Sequence, residues 1–116
     1  MTADRFREIV LSFDGVEERA HMGHPDFRAG GRIFASLHSK DQFGMVKLTP
    51  AEQRACIKEN PETFSPSSGA WGRQGCTNVH LASASVPAVR GAVTLAWQAM
   101  VSKPGAKTRR TRGKRR

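Results

Sequence analysis

Apolar residues open the chain at helical spacing. Phe6, Ile9, Val10 and Phe13 stand at i, i+3, i+4 and i+7, with Arg5, Arg7 and Glu8 on the remaining face, which predicts an amphipathic helix over residues 3–13. Thr2 suits the N-cap, and Asp14-Gly15 supplies a stop. From Glu18 to Leu48 the period drops to two. Breaks at Gly23-His24-Pro25, Gly30-Gly31 and residues 38–42 predict short antiparallel strands, with Gly30-Gly31 as a two-residue hairpin turn. Within 32–38 the alternation puts Ile33, Ala35 and Leu37 on one face and Phe34, Ser36 and His38 on the other.

Thr49-Pro50-Ala51-Glu52 combines an N-cap Thr, Pro at the first helical position and Glu at the third, a capping box that predicts a second helix to about Asn60, ahead of Pro61. It offers only Ala51, Ala55, Cys56 and Ile57 for burial, so it should lie on the surface of the sheet. Residues 61–75 read as an ordered loop, anchored by Phe64 and Trp71 among several Gly, Ser and Pro. Thr77, Val79 and Leu81 alternate with Cys76, Asn78 and His80 as one more strand. A last helix follows Ser85, with Pro87 in its first turn and Val89, Val93, Ala96, Trp97 and Met100 as its stripe. These elements predict a single α+β domain over 1–101: an antiparallel sheet of about five strands with an N-terminal, a middle and a C-terminal helix.

Charge changes the picture mainly at the end of the chain. The 116 residues carry a formal net charge of +9. Residues 102–116 hold eight of the basic side chains and no acid, namely Lys103, Lys107, Arg109, Arg110, Arg112, Lys114, Arg115 and Arg116. The rest of the chain, with eleven basic and ten acidic residues, is nearly neutral. Without an apolar residue larger than Ala, 102–116 is expected to be a disordered basic tail. No apolar run has the length of a membrane span, and none at the start resembles a secretion signal. A cytoplasmic protein with Cys56 and Cys76 as free thiols is therefore expected.

The succession of Gly23-His24-Pro25-Asp26-Phe27-Arg28, Gly31-Arg32-Ile33-Phe34-Ala35, the capped helix and Gly69-Ala70-Trp71-Gly72-Arg73-Gln74-Gly75-Cys76-Thr77 resembles the MmcQ/YjbR family. The resemblance covers residue 4 to about residue 101 and leaves the basic tail outside. It implies a compact α+β fold, called double-wing and compared with the frataxin-like CyaY fold, and carries a DNA-binding label. At Cys76 the family often has an aromatic residue.

No catalytic constellation stands out. His21 and His24 are spaced H-x-x-H, but a zinc site needs further ligands such as Cys76 or His80, and the pair falls at a strand and turn rather than on a helix. Nothing in the sequence orients a base beside Cys56 or Cys76, Glu17-Glu18 read as solvated carboxylates, and the glycines match no phosphate-binding fingerprint. Iron delivery, which the CyaY comparison brings to mind, would want clustered acids, whereas Asp4 and Glu8 alternate with Arg5 and Arg7. No metal or cofactor is expected. Trp71-Gly72-Arg73 admits two readings: an aromatic and a guanidinium that meet bases and phosphate, or, preferred, a core plug pinning its loop.

The leading expectation is a non-catalytic DNA-binding accessory protein whose tail makes sequence-independent phosphate contacts, with RNA also admissible. Arg28, Arg32 and Arg73, with Lys47, would add a basic face. The alternative is a protein-interaction or small-ligand module with a groove lined by His24, Phe27 and Trp71.

Overall fold

A computed structural model describes residues 1–21, 23–38, 40 and 42–101. In chain order it shows helix α1 (Ala3–Leu11), strands β1 (Glu17–His21), β2 (His24–Ala29), β3 (Arg32–His38) and β4 (Phe43–Lys47), then helix α2 (Pro50–Glu59). Strand β5 (Phe64–Pro66), short helix α3 (Gly69–Arg73), strand β6 (Cys76–His80), a 3-10 turn at Leu81–Ser83 and helix α4 (Val86–Val101) complete the domain. The strands form one antiparallel sheet in the order β1-β2-β3-β4-β6-β5. Among the described residues no helix is long and apolar enough to cross a membrane.

Local chemistry sets most boundaries. Thr2 accepts a hydrogen bond from the Arg5 amide, and α1 gives way at Ser12, two residues short of the predicted end. The capping box of α2 is complete: the Glu52 amide donates to Thr49 Oγ1 and the Thr49 amide to Glu52 Oε1. Gly30 and Gly31 both adopt positive φ, 62° and 78°, the geometry that a two-residue turn between β2 and β3 demands.

The core lies between one face of the sheet and helices α1 and α4. Phe6, Ile9 and Val10 of α1 and Val89, Val93 and Ala96 of α4 cluster with Phe27, Phe34, Leu37, Val46 and Val79 of the strands. Burying each of these larger side chains is worth about 1.5–3 kcal/mol. Gly44 opens the space for Phe6, since a Cβ there would sit 2.5 Å from the Phe6 ring.

Three expectations are corrected. Phe34 joins Ala35 and Leu37 in the core while Ile33 turns to the other face with Ser36 and His38, because a bulge shifts the β2–β3 register so that Phe27 faces Ala35 and Arg28 faces Ile33. The extra residue inverts the alternation on either side of it. Residues 61–75 contain a sixth strand and a short helix rather than a plain loop: β5 exists because it pairs with β6 while Phe64 fills the core. In α2 the buried residue is the polar Gln53, with Cys56 and Ile57 only half-buried and Ala51 and Ala55 exposed.

Candidate functional site

The strand residues that alternate away from the core line a groove of about 630 Å³ on the opposite face of the sheet. Its floor comes from β2 (His24, Asp26), β3 (Ile33, Ser36, His38), β4 (Phe43, Met45, Lys47) and β6 (Cys76, Asn78), and its wall from Ser67, Ser68 and Trp71. Cross-strand register makes these residues neighbours: His38 stands opposite Phe43, Ser36 opposite Met45, Met45 opposite Asn78 and Lys47 opposite Cys76.

A row of rings closes one end. The His38 and Phe43 rings stack at 4.7 Å with planes 12° apart, and His24 leans on His38 at 4.4 Å and 44°. His38 Nε2 lies 3.1 Å from Ser36 Oγ. Across the groove, Ser67 Oγ donates to Asn78 Oδ1 at 2.8 Å. That bond engages the amide oxygen and leaves the two amide hydrogens of Asn78 as donors toward the groove.

Trp71 is 64% exposed on the wall. The preferred sequence reading made it a core plug. The plug is instead Phe64, 2% exposed, while Trp71 rides on α3 above the sheet. Two contacts hold α3 there. A Cβ at Gly72 would come within 1.8 Å of the Ser67 carbonyl oxygen, so only glycine lets the helix lie this close to the residue that follows β5. From α2, the Gln53 side-chain amide donates to the carbonyls of Gly72 at 3.0 Å and Cys76 at 2.9 Å.

The electrostatics of the groove lean positive. Asp26 is the one carboxylate among the described lining residues and is only 3% exposed. Arg28 holds it, Nε donating to Oδ1 at 3.0 Å and a terminal nitrogen to Oδ2 at 3.4 Å. The same hydrogen bond pushes the Arg28 guanidinium above its ordinary pKa. Lys47 lines the groove and also a second cavity of about 400 Å³, which it shares with Arg32, Gln74, Ala99 and Met100. The last turn of α4 therefore ends beside Arg32 and Lys47.

Of the residues singled out from sequence, His24 and Trp71 meet in the groove. Phe27 does not: it is fully buried on the core face, because neighbours along a strand point to opposite sides and His24 and Asp26 take the groove side. Arg28 is tied to Asp26 rather than free for a ligand, Arg32 reaches the second cavity, and Arg73 is exposed at the end of α3. Lys103, Lys107, Arg109, Arg110, Arg112, Lys114, Arg115 and Arg116 lie outside the described residues, as does the side chain of His21. His80 is engaged with Ser65, at 2.7 Å, and no group of three His, Cys, Asp or Glu able to hold a metal occurs among the described residues. Burial pushes the thiols of Cys56 and Cys76 above their ordinary pKa, which keeps them protonated at neutral pH and disfavours a thiolate nucleophile.

Sequence reasoning did not gather His38, Phe43, Met45, Asn78 or Gln53 into a site. The alternation of Phe43, Met45 and Lys47 with Gly44 and Val46 was the available signal. It gains meaning only once β4 is set between β3 and β6.

The family model described as YjbR matches residues 11–99. The crystal structure of the Deinococcus radiodurans protein DR2400, which carries the family domain DUF419, is similar in fold, with a TM-score of 0.73 at 15% identity over 90% of this chain and 80% of that one. No curated protein matches the chain significantly.

Proposed function

This chain belongs to the YjbR family, and from that premise we propose a non-catalytic nucleic-acid-binding accessory protein of the cytoplasm, acting on DNA and admitting RNA. One observation carries the reading: Ala99 and Met100 in the last turn of α4 line a cavity with Arg32 and Lys47, and the fifteen residues after Val101 bring eight Lys or Arg and no acid. In sequence, the basic run follows directly on that turn of α4. Phosphate contacts of this kind gain their free energy from counterion release and carry no base sequence. The near neutrality of residues 1–101 is consistent with that division: no acid of α1 or β1 lines the groove, Glu17 stands opposite Arg28, and Asp26 is paired with Arg28.

The test is fluorescence anisotropy on a labelled duplex over a salt series, comparing the whole chain with one ending at Val101. With about six phosphates engaged, log K should fall against log salt with a slope of roughly −5. Removing 102–116 should flatten the slope and weaken low-salt binding by orders of magnitude, with the circular dichroism unchanged. Equal binding by both chains would transfer the role to the domain. Binding by neither would sink the reading in favour of a small-ligand or protein-interaction module, the reading that a groove of this volume supports.

A further inference from the structure

We propose that the groove on the open face of the sheet takes an unpaired nucleobase of a single strand, with Trp71 stacking on it, Asn78 donating to its edge and Lys47 meeting the adjoining phosphate. This rests on the nucleic-acid reading above and narrows it from phosphate contact to a class of strand.

The first argument is what Trp71 does in water. Its indole is 64% exposed, on a helix that Gly72 and Gln53 lock against the sheet. An aromatic ring held rigidly at a groove lip loses little freedom when a flat partner covers it, and its face is the feature on which bases stack whatever their identity. The groove is already lined by rings at its other end, where His38 and Phe43 stack.

Charge selects the partner. Lys47 is in the groove, Arg32 lies beyond it and Arg73 stands two residues past Trp71, while Arg28 occupies Asp26, the one carboxylate among the described lining residues. An anionic strand is complementary to that arrangement; a basic peptide is repelled. Polar edges select further, since the amide hydrogens of Asn78 are suited to acceptors and the carbonyl oxygens of bases are acceptors.

Shape selects single strands. In a duplex both faces of every base are covered by neighbours, so a concave site walled by an indole reaches a base only after it has left the stack. A single strand presents bases without that cost. The two parts of the chain then divide the work: residues beyond Val101 supply phosphate contacts that any nucleic acid satisfies, and the groove supplies contacts that only an unpaired base satisfies.

Trp71 and Trp97 are the two tryptophans, and Trp97 is half-buried, bonded through Nε1 to the Asp14 carbonyl. In a Trp97→Phe background the indole fluorescence reports Trp71 alone. Titration with a ten-nucleotide oligo-dT should quench it; the matched duplex should not. Trp71→Ala, in the otherwise unaltered chain, should weaken oligo-dT binding by about 5- to 100-fold, leave duplex binding and its salt slope unchanged, and leave the thermal midpoint nearly unmoved. Trp71→Phe should restore most of the loss. Equal losses for strand and duplex, or none for either, would overturn the groove proposal while duplex binding keeps the phosphate reading alive. Thymidine monophosphate binding as tightly as the oligonucleotide would also overturn it, making the groove a nucleotide site. Failure of strand and duplex alike to bind the whole chain would remove both proposals together.

Discussion

Gln53 shows how one buried polar side chain can matter more than several surface ion pairs. It is 7% exposed, and its amide gives both hydrogens to carbonyls, of Gly72 in α3 and Cys76 at the start of β6. Each carbonyl also accepts one backbone amide, Gly75 to Gly72 and Ser67 to Cys76, so removing the donor costs two buried bonds and the tie between α2 and α3 without orphaning either oxygen, whereas the Arg7–Glu18 pair at 2.6 Å, with side chains 47% and 27% exposed, is screened by solvent and worth less than about 1 kcal/mol. Gln53→Leu keeps the volume and removes the hydrogens. Urea denaturation should show a loss of about 1–3 kcal/mol, and the Trp71 emission should shift as α3 loosens. A cost no larger than that of Glu18→Gln would mean that the backbone amides of Gly75 and Ser67 suffice for the two carbonyls. The residue was legible as a helix position but not as a clamp, since its partners lie 19 and 23 positions along the chain.

Among the elements, α2 owes its start to chemistry contained in four consecutive residues. Both reciprocal bonds of Thr49-Pro50-Ala51-Glu52 form, at 3.1 and 2.9 Å, and little else recommends this helix, whose one buried side chain is polar. Thr49→Ala should therefore cost about 1 kcal/mol, a fall in thermal midpoint of roughly 4–8 °C for a domain of this size, while Thr49→Asp should lose much less. The same locality made α1, the Gly30-Gly31 turn and α4 readable, because each carries its own cap, stop or stripe. Strand β5, helix α3 and the bulge at Phe34 were not readable for the opposite reason. Three residues become a strand because β6 offers an edge, Gly-Ala-Trp-Gly-Arg becomes helical because Gly72 can lie against Ser67, and Phe34 faces inward because the core needs it there. The groove follows suit: His24 and Trp71 carried visible signals, but bringing them together with Phe43 and Asn78 required the strand order.

At the scale of the whole molecule, the two thiols link folding to pH. Burial is the larger cause of the upward shift at both cysteines; nearby Glu59 and Glu52 add to it at Cys56, and Lys47 opposes it at Cys76. The unfolded chain releases these protons near the ordinary thiol value of 9.0, while the folded chain retains them to higher pH. The unfolded state then binds fewer protons than the native one, so stability falls as pH rises through about 9 and beyond. Below about pH 7 both states keep both protons and the thiols contribute no pH dependence. Urea melts of the intact chain should accordingly lose stability between pH 8 and 10. A Cys56→Ala, Cys76→Ala double variant, though less stable at pH 7 from lost packing, should lose distinctly less over the same interval. The comparison cancels lysine titration and the charge beyond Val101, which both chains share. Parallel curves would show that the native structure admits the thiolates after all, and with that the argument that Cys76 is an inert floor of the groove would fall.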